Sequence, residues 1–230
     1  MSKINYTLAL AGNPNTGKTT IFNMLTGLNQ HTGNWPGKTV TKSEGYYSFN
    51  SERFCLVDLP GTYSLLSQSQ DEEIARDYIL FNNPSLVIVV VDATALERNL
   101  NLVLQILQIN SKVIVCLNLL DEAKRKGIQV DHNKLSLDLG VPVVPTIAAK
   151  NIGKDKLLDV IYQACNQEIE FNPKKLLYPY DLQKDIDRIS KRLRILFPDI
   201  QNAEWLALRL IDGDEKVKQV LQKANYEFSR

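Results

Sequence analysis

One stretch near the start of the chain constrains the fold more than any other. It reads Gly-Asn-Pro-Asn-Thr-Gly-Lys-Thr over residues 12–19, between the apolar run Tyr6–Ala11 and the helix-prone run 20–25. A strand, a glycine-rich turn and a helix in this order let backbone N–H groups converge on an anion. The glycines permit close approach, Lys18 can reach the β- and γ-phosphates of a nucleotide, and the Thr19 hydroxyl can bind Mg²⁺. The stretch therefore predicts a phosphate-binding loop.

The bulk composition excludes several classes of protein. The 230 residues are 44% hydrophobic and 23% charged, which fits one full domain and a small second one. The net charge of +1 gives no general attraction for nucleic acid or anionic membranes, so no nucleic-acid partner is expected. We expect Cys55, Cys116 and Cys165 to be buried apolar residues, not disulfide or metal ligands, because they form no CxxC pair.

Two further features bear on location. Residues 1–5 lack the apolar segment of a signal peptide, and the longest clean apolar run, Leu86–Val91, is too short to span a bilayer. We therefore expect the chain, as given, to be cytoplasmic.

Strand and helix patterns alternate along much of the chain. The β-branched runs Leu86–Asp92 and Val113–Leu117 are typical of strands buried on both faces of a parallel sheet. Amphipathic spacing predicts helices over 71–81 and 96–109. The pattern continues through 134–139, 141–144 and 157–165. This predicts an α/β fold with a mostly parallel central sheet, helices on both faces and ligand-binding loops at the carboxyl ends of the strands.

Residues 27–43 are rich in Gly, Asn, Thr and Pro and show no periodicity. They predict a long loop without secondary structure of its own, placed to fold over the nucleotide. Thr39 is a candidate to close onto Mg²⁺ and the γ-phosphate. The residues alone leave Thr32 and Thr41 as competing candidates.

The runs 45–50 and 53–58 flank a turn-prone segment and predict a β-hairpin. The second run ends in Asp58-Leu-Pro-Gly61. A carboxylate at the end of a strand can hold a water of the magnesium shell, and the Gly61 N–H can bond a γ-phosphate oxygen. This motif is weak evidence alone, but it becomes strong after a phosphate-binding loop.

The segment Asn118-Leu-Leu-Asp121 follows a buried strand, where a base-reading loop is expected. An aspartate carboxylate can accept both the N1–H and the N2 amino protons of guanine, and adenine offers no such pair. Asn118 would bond the guanine edge and brace the loop. One strand later, a backbone N–H near Ala148 can donate to guanine O6. The sequence therefore predicts GTP and GDP as ligands.

The order of these motifs resembles the Ras-like P-loop GTPase superfamily. Longer stretches look like the cytoplasmic N-terminal GTPase domain of the bacterial ferrous iron transport protein B family, over about residues 3 to 165. These stretches are Gly12–Thr19, Thr32–Thr39, Asp58–Leu65, Asp71–Tyr78, Val91–Thr94, Leu96–Leu100 and Asn118–Ala123.

The resemblance implies a Ras-like domain over residues 1–168 and a small all-helical domain over 169–230 that stabilises the GDP-bound state. It also implies an iron-conducting membrane permease portion that this chain does not contain, so that the chain would be the cytoplasmic part of a membrane protein. Homo-oligomer formation is left open.

The resemblance assigns roles to particular residues. It selects Thr39 as the switch threonine, and it implies that Asn15 helps to hold an activating K⁺. The alternative for Asn15 is a turn residue. Mg²⁺ would be held by Thr19, Thr39 and, through water, Asp58. Catalysis would depend on Lys18, Thr39, Gly61 and Asn15. The expected nucleotide-contacting residues are Gly12, Asn13, Pro14, Asn15, Thr16, Gly17, Lys18, Thr19, Thr20, Gly37, Lys38, Thr39, Asp58, Gly61, Asn118, Asp121, Ile147, Ala148 and Ala149.

Two positions depart from the superfamily pattern. Thr62 stands where many Ras-like enzymes have a glutamine that orients the attacking water, so hydrolysis is expected to be slow. Ile147-Ala148 replaces the usual Ser-Ala, which keeps a backbone contact to guanine but leaves the affinity open.

The remaining chain reads as a linker around 171–175, followed by helices over 182–196, 203–211 and 215–224. The leading hypothesis is a GTP-hydrolysing domain that regulates or drives ferrous iron uptake. The alternatives are a soluble GTPase acting on RNA or ribosome assembly, and a nucleotide sensor that does not hydrolyse GTP.

Overall fold

The apolar runs of the sequence form the strands of one sheet. The computed structural model describes residues 4–27, 30–66, 69–174, 177–198, 200 and 202–228, without the side chains at 220 and 223–228. Within these residues the strands are β1 (Tyr6–Gly12), β2 (Gln30–Asn34), β3 (Thr41–Phe49), β4 (Glu52–Asp58), β5 (Leu86–Asp92), β6 (Val113–Asn118) and β7 (Val143–Pro145).

The sheet has seven strands in the order β2-β3-β4-β1-β5-β6-β7. The pairs from β4 to β7 are parallel, whereas β2, β3 and β4 form an antiparallel extension. The predicted α/β class with a mostly parallel sheet is confirmed. Because β1, β4, β5 and β6 run in the same direction, the segments that follow them meet at one edge.

The helices cover the sheet and form a separate group near the end of the chain. They are α1 (Lys18–Thr26), α2 (Gln70–Phe81), α3 (Leu96–Ile109), α4 (Leu120–Arg125), α5 (His132–Leu139), α6 (Lys154–Cys165), α7 (Tyr180–Leu196), α8 (Ala203–Ile211) and α9 (Glu215–Phe228). The predicted helices over 71–81 and 96–109 are confirmed within one residue.

Strand residues pack against helices because side chains alternate between the two faces of a strand. Leu8 and Leu10 of β1 are fully buried in the core that α1 and α6 build, and Ile21 and Ile161 are the corresponding fully buried helix residues. Helix α3 contacts β5 and β6, and α2 contacts α3. Each such buried aliphatic side chain contributes about 1.5–3 kcal/mol, so the central strands are the most strongly held part of the sheet.

The prediction of a structureless loop over 27–43 is wrong. Residues 30–34 form β2, which pairs with β3 in antiparallel register from Gln30 opposite Gly45 to Asn34 opposite Thr41. All β2 side chains are exposed, so neither face has the apolar alternation by which a strand is recognised in sequence. Backbone pairing, together with an edge-on contact of His31 with Tyr46 of β3, holds this strand at the sheet edge.

The short connection between β2 and β3 is a turn that its sequence specifies. Trp35 N–H donates to the carbonyl of Val40, and Lys38 N–H donates to the carbonyl of Trp35, both at 2.9 Å. The second bond closes a four-residue turn whose central residues are Pro36 and Gly37. Gly37 has φ 68°. Pro followed by a Gly with positive φ is the signature of a type II turn.

The chain divides into two compact units, Met1–Lys174 and Lys175–Arg230. The proposed linker therefore begins as part of the first unit: Asn172 N–H donates to the Gly140 carbonyl at 3.0 Å, and Lys174 N–H donates to that of Leu139 at 3.2 Å. The linker residue Lys175 lies outside the described residues. In the second unit, α8 packs against both α7 and α9.

The cores of both units are apolar, but no described helix combines the length and the apolar character that a bilayer crossing requires. The second unit buries Ile186, Leu193, Trp205 and Leu206.

The three cysteines are in the first unit. Cys55 and Cys116 are buried, and Cys165 is half-buried. Burial raises the pKa of the Cys116 thiol to about 12.

A single glycine sets how closely α1 approaches β3. A Cβ added to Gly45 would lie 2.3 Å from Thr26 Cγ2 and 2.8 Å from Phe22 Cζ. We expect Gly45→Ala to lower the free energy of unfolding by about 1–3 kcal/mol through overpacking. Urea denaturation measures the change. Gly33→Ala on β2 is the matched control, because nothing lies within 4 Å of its added Cβ; equal losses for the two variants would contradict the packing argument.

Candidate functional site

The phosphate-binding loop joins β1 to α1. Asn15 and Gly17 both have positive φ, 66° and 84°, and the Thr16 hydroxyl donates to the Asn13 carbonyl at 2.9 Å. Gly17 is required by a close contact as well as by its conformation, because a Cβ there would lie 2.4 Å from Asn118 Nδ2. Lys18 begins α1, so the loop leads directly into a helix N-terminus that can attract an anion.

Asn118 connects three segments of the site. It is buried at the end of β6, and its Nδ2 donates to the Thr16 carbonyl at 3.0 Å. Its Oδ1 accepts from Ala148 N–H at 3.0 Å and lies 3.2 Å from Thr146 Oγ1. Each polar atom of the carboxamide therefore has a partner, and the segment after β7 is fixed to the phosphate-binding loop.

Asp121 lies just beyond this network. Leu119 takes a left-handed conformation with φ 62°, and α4 begins at Leu120, so the expected base-reading loop is only this one residue and Asp121 is in the first helical turn. Asp121 Oδ2 pairs with Lys150 Nζ at 2.9 Å. The hydrogen bond from Lys150 lowers the pKa of Asp121, which keeps the carboxylate ionised and able to accept protons from a base.

Lys18 and Asp58 form an ion pair between α1 and the end of β4. Both side chains are largely buried. Burial raises the pKa of the Asp58 carboxyl, and the Lys18 ammonium acts in the opposite direction. Here the lysine neutralises the carboxylate, and a phosphate group beside Lys18 would compete for the same cation.

The segment after Asp58 lies against the phosphate-binding loop. Thr62 N–H donates to the Gly12 carbonyl at 3.2 Å, and a Cβ added to Gly61 would lie 3.5 Å from Pro14. The Thr62 hydroxyl donates to the Ser64 carbonyl at 2.7 Å. Thr62 is therefore engaged at both its backbone N–H and its hydroxyl.

The segment that carries Thr39 is held elsewhere. Trp35 is buried and packs edge-on against Tyr78 of α2 with ring centroids 5.4 Å apart. Lys38 Nζ pairs with Glu73 Oε2 of α2 at 3.0 Å. Thr39 itself is exposed, and within the described residues no hydrogen bond links it to the phosphate-binding loop. The neighbours of Thr39 in the chain are thus anchored on α2.

The other predicted site residues occupy varied surroundings. Thr19, Thr20 and Ala149 are exposed, and Ile147 forms an isolated backbone bridge with Ile152. Asn13 is 1% exposed, and its Nδ2 has no hydrogen-bond partner. Asn13 is thus a buried donor within the phosphate-binding loop.

The available ligands suit Mg²⁺ better than a transition metal. The described residues contain no group of three or more His, Cys, Asp or Glu side chains that could hold a metal ion. Thr19 is in the first turn of α1, and the ion pair with Lys18 holds Asp58 beside that turn. Mg²⁺ keeps several waters and commonly binds one or two side chains together with substrate phosphates, so this donor set fits it.

Sequence reasoning missed three contributors. Lys150 follows the predicted guanine-capping residues and pairs with Asp121. Thr146 bonds Asn118 from the same segment. Trp35 could have been found, since a large aromatic residue in a polar, Gly- and Pro-rich stretch indicates a buried anchor.

Comparison with known proteins supports a specific family. Residues 6–161 match the family model described as "Ferrous iron transport protein B", and residues 178–230 match "FeoB cytosolic helical domain". Curated proteins named "Fe(2+) transporter FeoB" from Shigella flexneri and Escherichia coli strain K12 are 41% identical over 213 residues, which is 90% of this chain. The chain spans 27% of the length of these relatives.

Solved structures show the same likeness. The cytosolic domain of L. pneumophila FeoB has a TM-score of 0.85 at 36% identity, covering 94% of this chain and 84% of that one. The cytosolic domain of T. maritima FeoB in a GMPPNP form has a TM-score of 0.84 at 38% identity, covering 95% and 85%. In a GDP form it has a TM-score of 0.85 with the same identity and coverage. On the combined evidence of its motifs, fold and relatives, the chain belongs to the ferrous iron transport protein B family.

Proposed function

We propose that this chain binds GTP and GDP and hydrolyses GTP slowly. The observation that carries the proposal is the carboxamide of Asn118, which joins the phosphate-binding loop to the segment expected to read guanine. A nucleotide placed along this connection has its phosphates at the start of α1 and its base near Asp121. The solved T. maritima relatives described as GDP and GMPPNP forms support the same ligand class.

Guanine selection would depend on the paired carboxylate oxygens of Asp121. They accept the N1–H and N2 amino protons of guanine. The Ala148 N–H already donates to Asn118 Oδ1, so the contact to guanine O6 would come from the next backbone N–H, that of Ala149. Lys150, exposed beside Asp121, keeps the carboxylate ionised without burying it. Base selection is therefore strong, because the wrong base leaves hydrogen-bonding groups unpaired.

Hydrolysis would depend on three groups that surround the γ-phosphate. Lys18 neutralises phosphate charge, the Gly61 N–H donates to a phosphate oxygen, and Thr39 closes over it. Thr39 is better placed for closure than Thr32 or Thr41, which are in the paired strands β2 and β3. Bound Mg²⁺, held by Thr19, Thr39 and through water by Asp58, would offset the charge that develops on the phosphates.

The rate is expected to be low because the usual water-orienting side chain is missing. Thr62 occupies its position, and its hydroxyl is committed to the Ser64 carbonyl. Orientation of the attacking water falls to backbone groups and to the closed threonine segment. K⁺ bound at Asn15, whose exposed side chain projects from a left-handed backbone position, would add positive charge beside the phosphates.

The role of the whole protein extends this proposal. The curated relatives are named Fe(2+) transporters and are much longer than this chain. We infer that the nucleotide state of this unit regulates or drives ferrous iron passage through a membrane permease portion of the same protein.

Asp121→Asn tests the choice of base. The amide would present a donor where guanine also has a donor, so we expect affinity for GDP to fall at least about a hundredfold and affinity for xanthosine diphosphate to rise. Isothermal titration with both nucleotides measures this. Asp159→Asn, at an exposed carboxylate on α6, should bind as wild type. Unchanged GDP affinity in Asp121→Asn would place the guanine reader elsewhere.

Asn15→Ala tests the ion site. We expect phosphate release by wild type to be at least about tenfold faster in KCl than in NaCl, and the variant to lose that difference, because the ion substitutes for a positively charged side chain. Asn101→Ala, at an exposed position of α3, is the control and should keep the potassium response. Equal rates in both salts for wild type would exclude the ion.

A further inference from the structure

Helix α3 holds the segment that follows Gly61. Gln105 Oε1 accepts a hydrogen bond from Leu65 N–H at 2.7 Å and a second one from the Ser64 hydroxyl at 3.3 Å. About two turns earlier on α3, the Arg98 guanidinium lies 5.2 Å from the centre of the Tyr63 ring. Two side chains of α3 therefore contact three consecutive residues of this segment, 63–65.

The other end of the segment is fixed to the phosphate-binding loop. Thr62 N–H donates to the Gly12 carbonyl, and Leu65 is 1% exposed. Gly61 directly precedes Thr62, and two residues before Gly61 the Leu59 N–H donates to a carbonyl of β1 at 2.9 Å. The Gly61 N–H is thus bounded by backbone contacts at Leu59 and Thr62, and the acceptor on α3 fixes the continuation of the same segment at Leu65.

We propose that Gln105 is a positioning residue for GTP hydrolysis, which rests on the proposed function above. It makes no contact with phosphate. It holds the segment 61–65 so that the Gly61 N–H faces the γ-phosphate, and its effect on the reaction passes through the Leu65 backbone.

The chemistry explains why an acceptor is needed at this position. A largely buried backbone N–H that loses its partner is unfavourable, so the segment shifts until another acceptor or water is found. Small displacements of a group that stabilises charge in the transition state lower the rate more than they lower ground-state binding. A carboxylate at position 105 still offers an oxygen to Leu65 N–H, whereas a thioether is only a weak acceptor.

The experiment compares wild type with Gln105→Met, Gln105→Glu and Gln108→Met. Gln108→Met makes the same change at another half-buried position of α3. Three quantities are measured: kcat for GTP, the dissociation constant for GDP, and amide hydrogen exchange in the peptide that contains Leu65. We expect Gln105→Met to lower kcat roughly fivefold or more, with GDP affinity within about twofold of wild type and faster exchange at Leu65.

Each outcome supports or overturns the positioning role of Gln105. Recovery of kcat and slow exchange in Gln105→Glu, with wild-type behaviour of Gln108→Met, supports the role. Unchanged kcat in Gln105→Met beside an active wild type overturns it and leaves the GTPase proposal intact. An equal decrease of kcat in all three variants, or a decrease of GDP affinity together with kcat, overturns the positioning role and indicates a general effect on the structure. A wild type that binds GTP without hydrolysing it refutes the GTPase proposal and this role together, while the exchange data still report the contact.

Discussion

The site depends on one buried carboxamide. Asn118 donates to the loop that follows β1 and accepts from the segment that follows β7, so two segments far apart in sequence are held at a fixed distance. An aspartate could not donate to the Thr16 carbonyl, and a leucine would leave the buried Ala148 N–H and Thr16 carbonyl without this partner. The contact also leaves no space for a side chain at Gly17. Gly17 of the phosphate-binding loop and Asn118, in the segment proposed to read the base, therefore depend on each other.

Around this fixed connection, the parts expected to respond to nucleotide are held by weaker contacts. Exposed or half-exposed ion pairs such as Lys38–Glu73 typically contribute at most about 1 kcal/mol. Trp35, packed on Tyr78, and Leu65, bonded to Gln105, are buried anchor points in these segments. A continuous apolar core with segments attached to it at a few points suits a protein in which a single phosphate group decides between two arrangements.

Elements of the fold could be predicted where a local sequence pattern determines them, and could not where contacts between distant residues do. The strands β5 and β6 and the helix α3 could be predicted because burial imposes an apolar pattern on local sequence. The phosphate-binding loop could be predicted because its backbone conformation demands particular residues at fixed spacing. Strand β2 could not, since it is held by backbone pairing to β3 and its side chains face solvent. The pairs Lys150–Asp121 and Gln105–Leu65 join residues distant in sequence, and no local pattern reports them.

The pairing of β2 with β3 has a thermodynamic consequence for ligand binding. The same hairpin presents Thr39 to solvent and anchors Trp35 and Lys38 on α2. In the function proposed above, a triphosphate that recruits Thr39 would use part of its interaction energy to leave this arrangement, whereas a diphosphate would not. The apparent affinity for the triphosphate is then lower than its intrinsic affinity by the fraction of molecules already rearranged. Under the proposed function, the anchoring of Trp35 and Lys38 on α2 would thereby shift the balance between the two nucleotides toward the diphosphate.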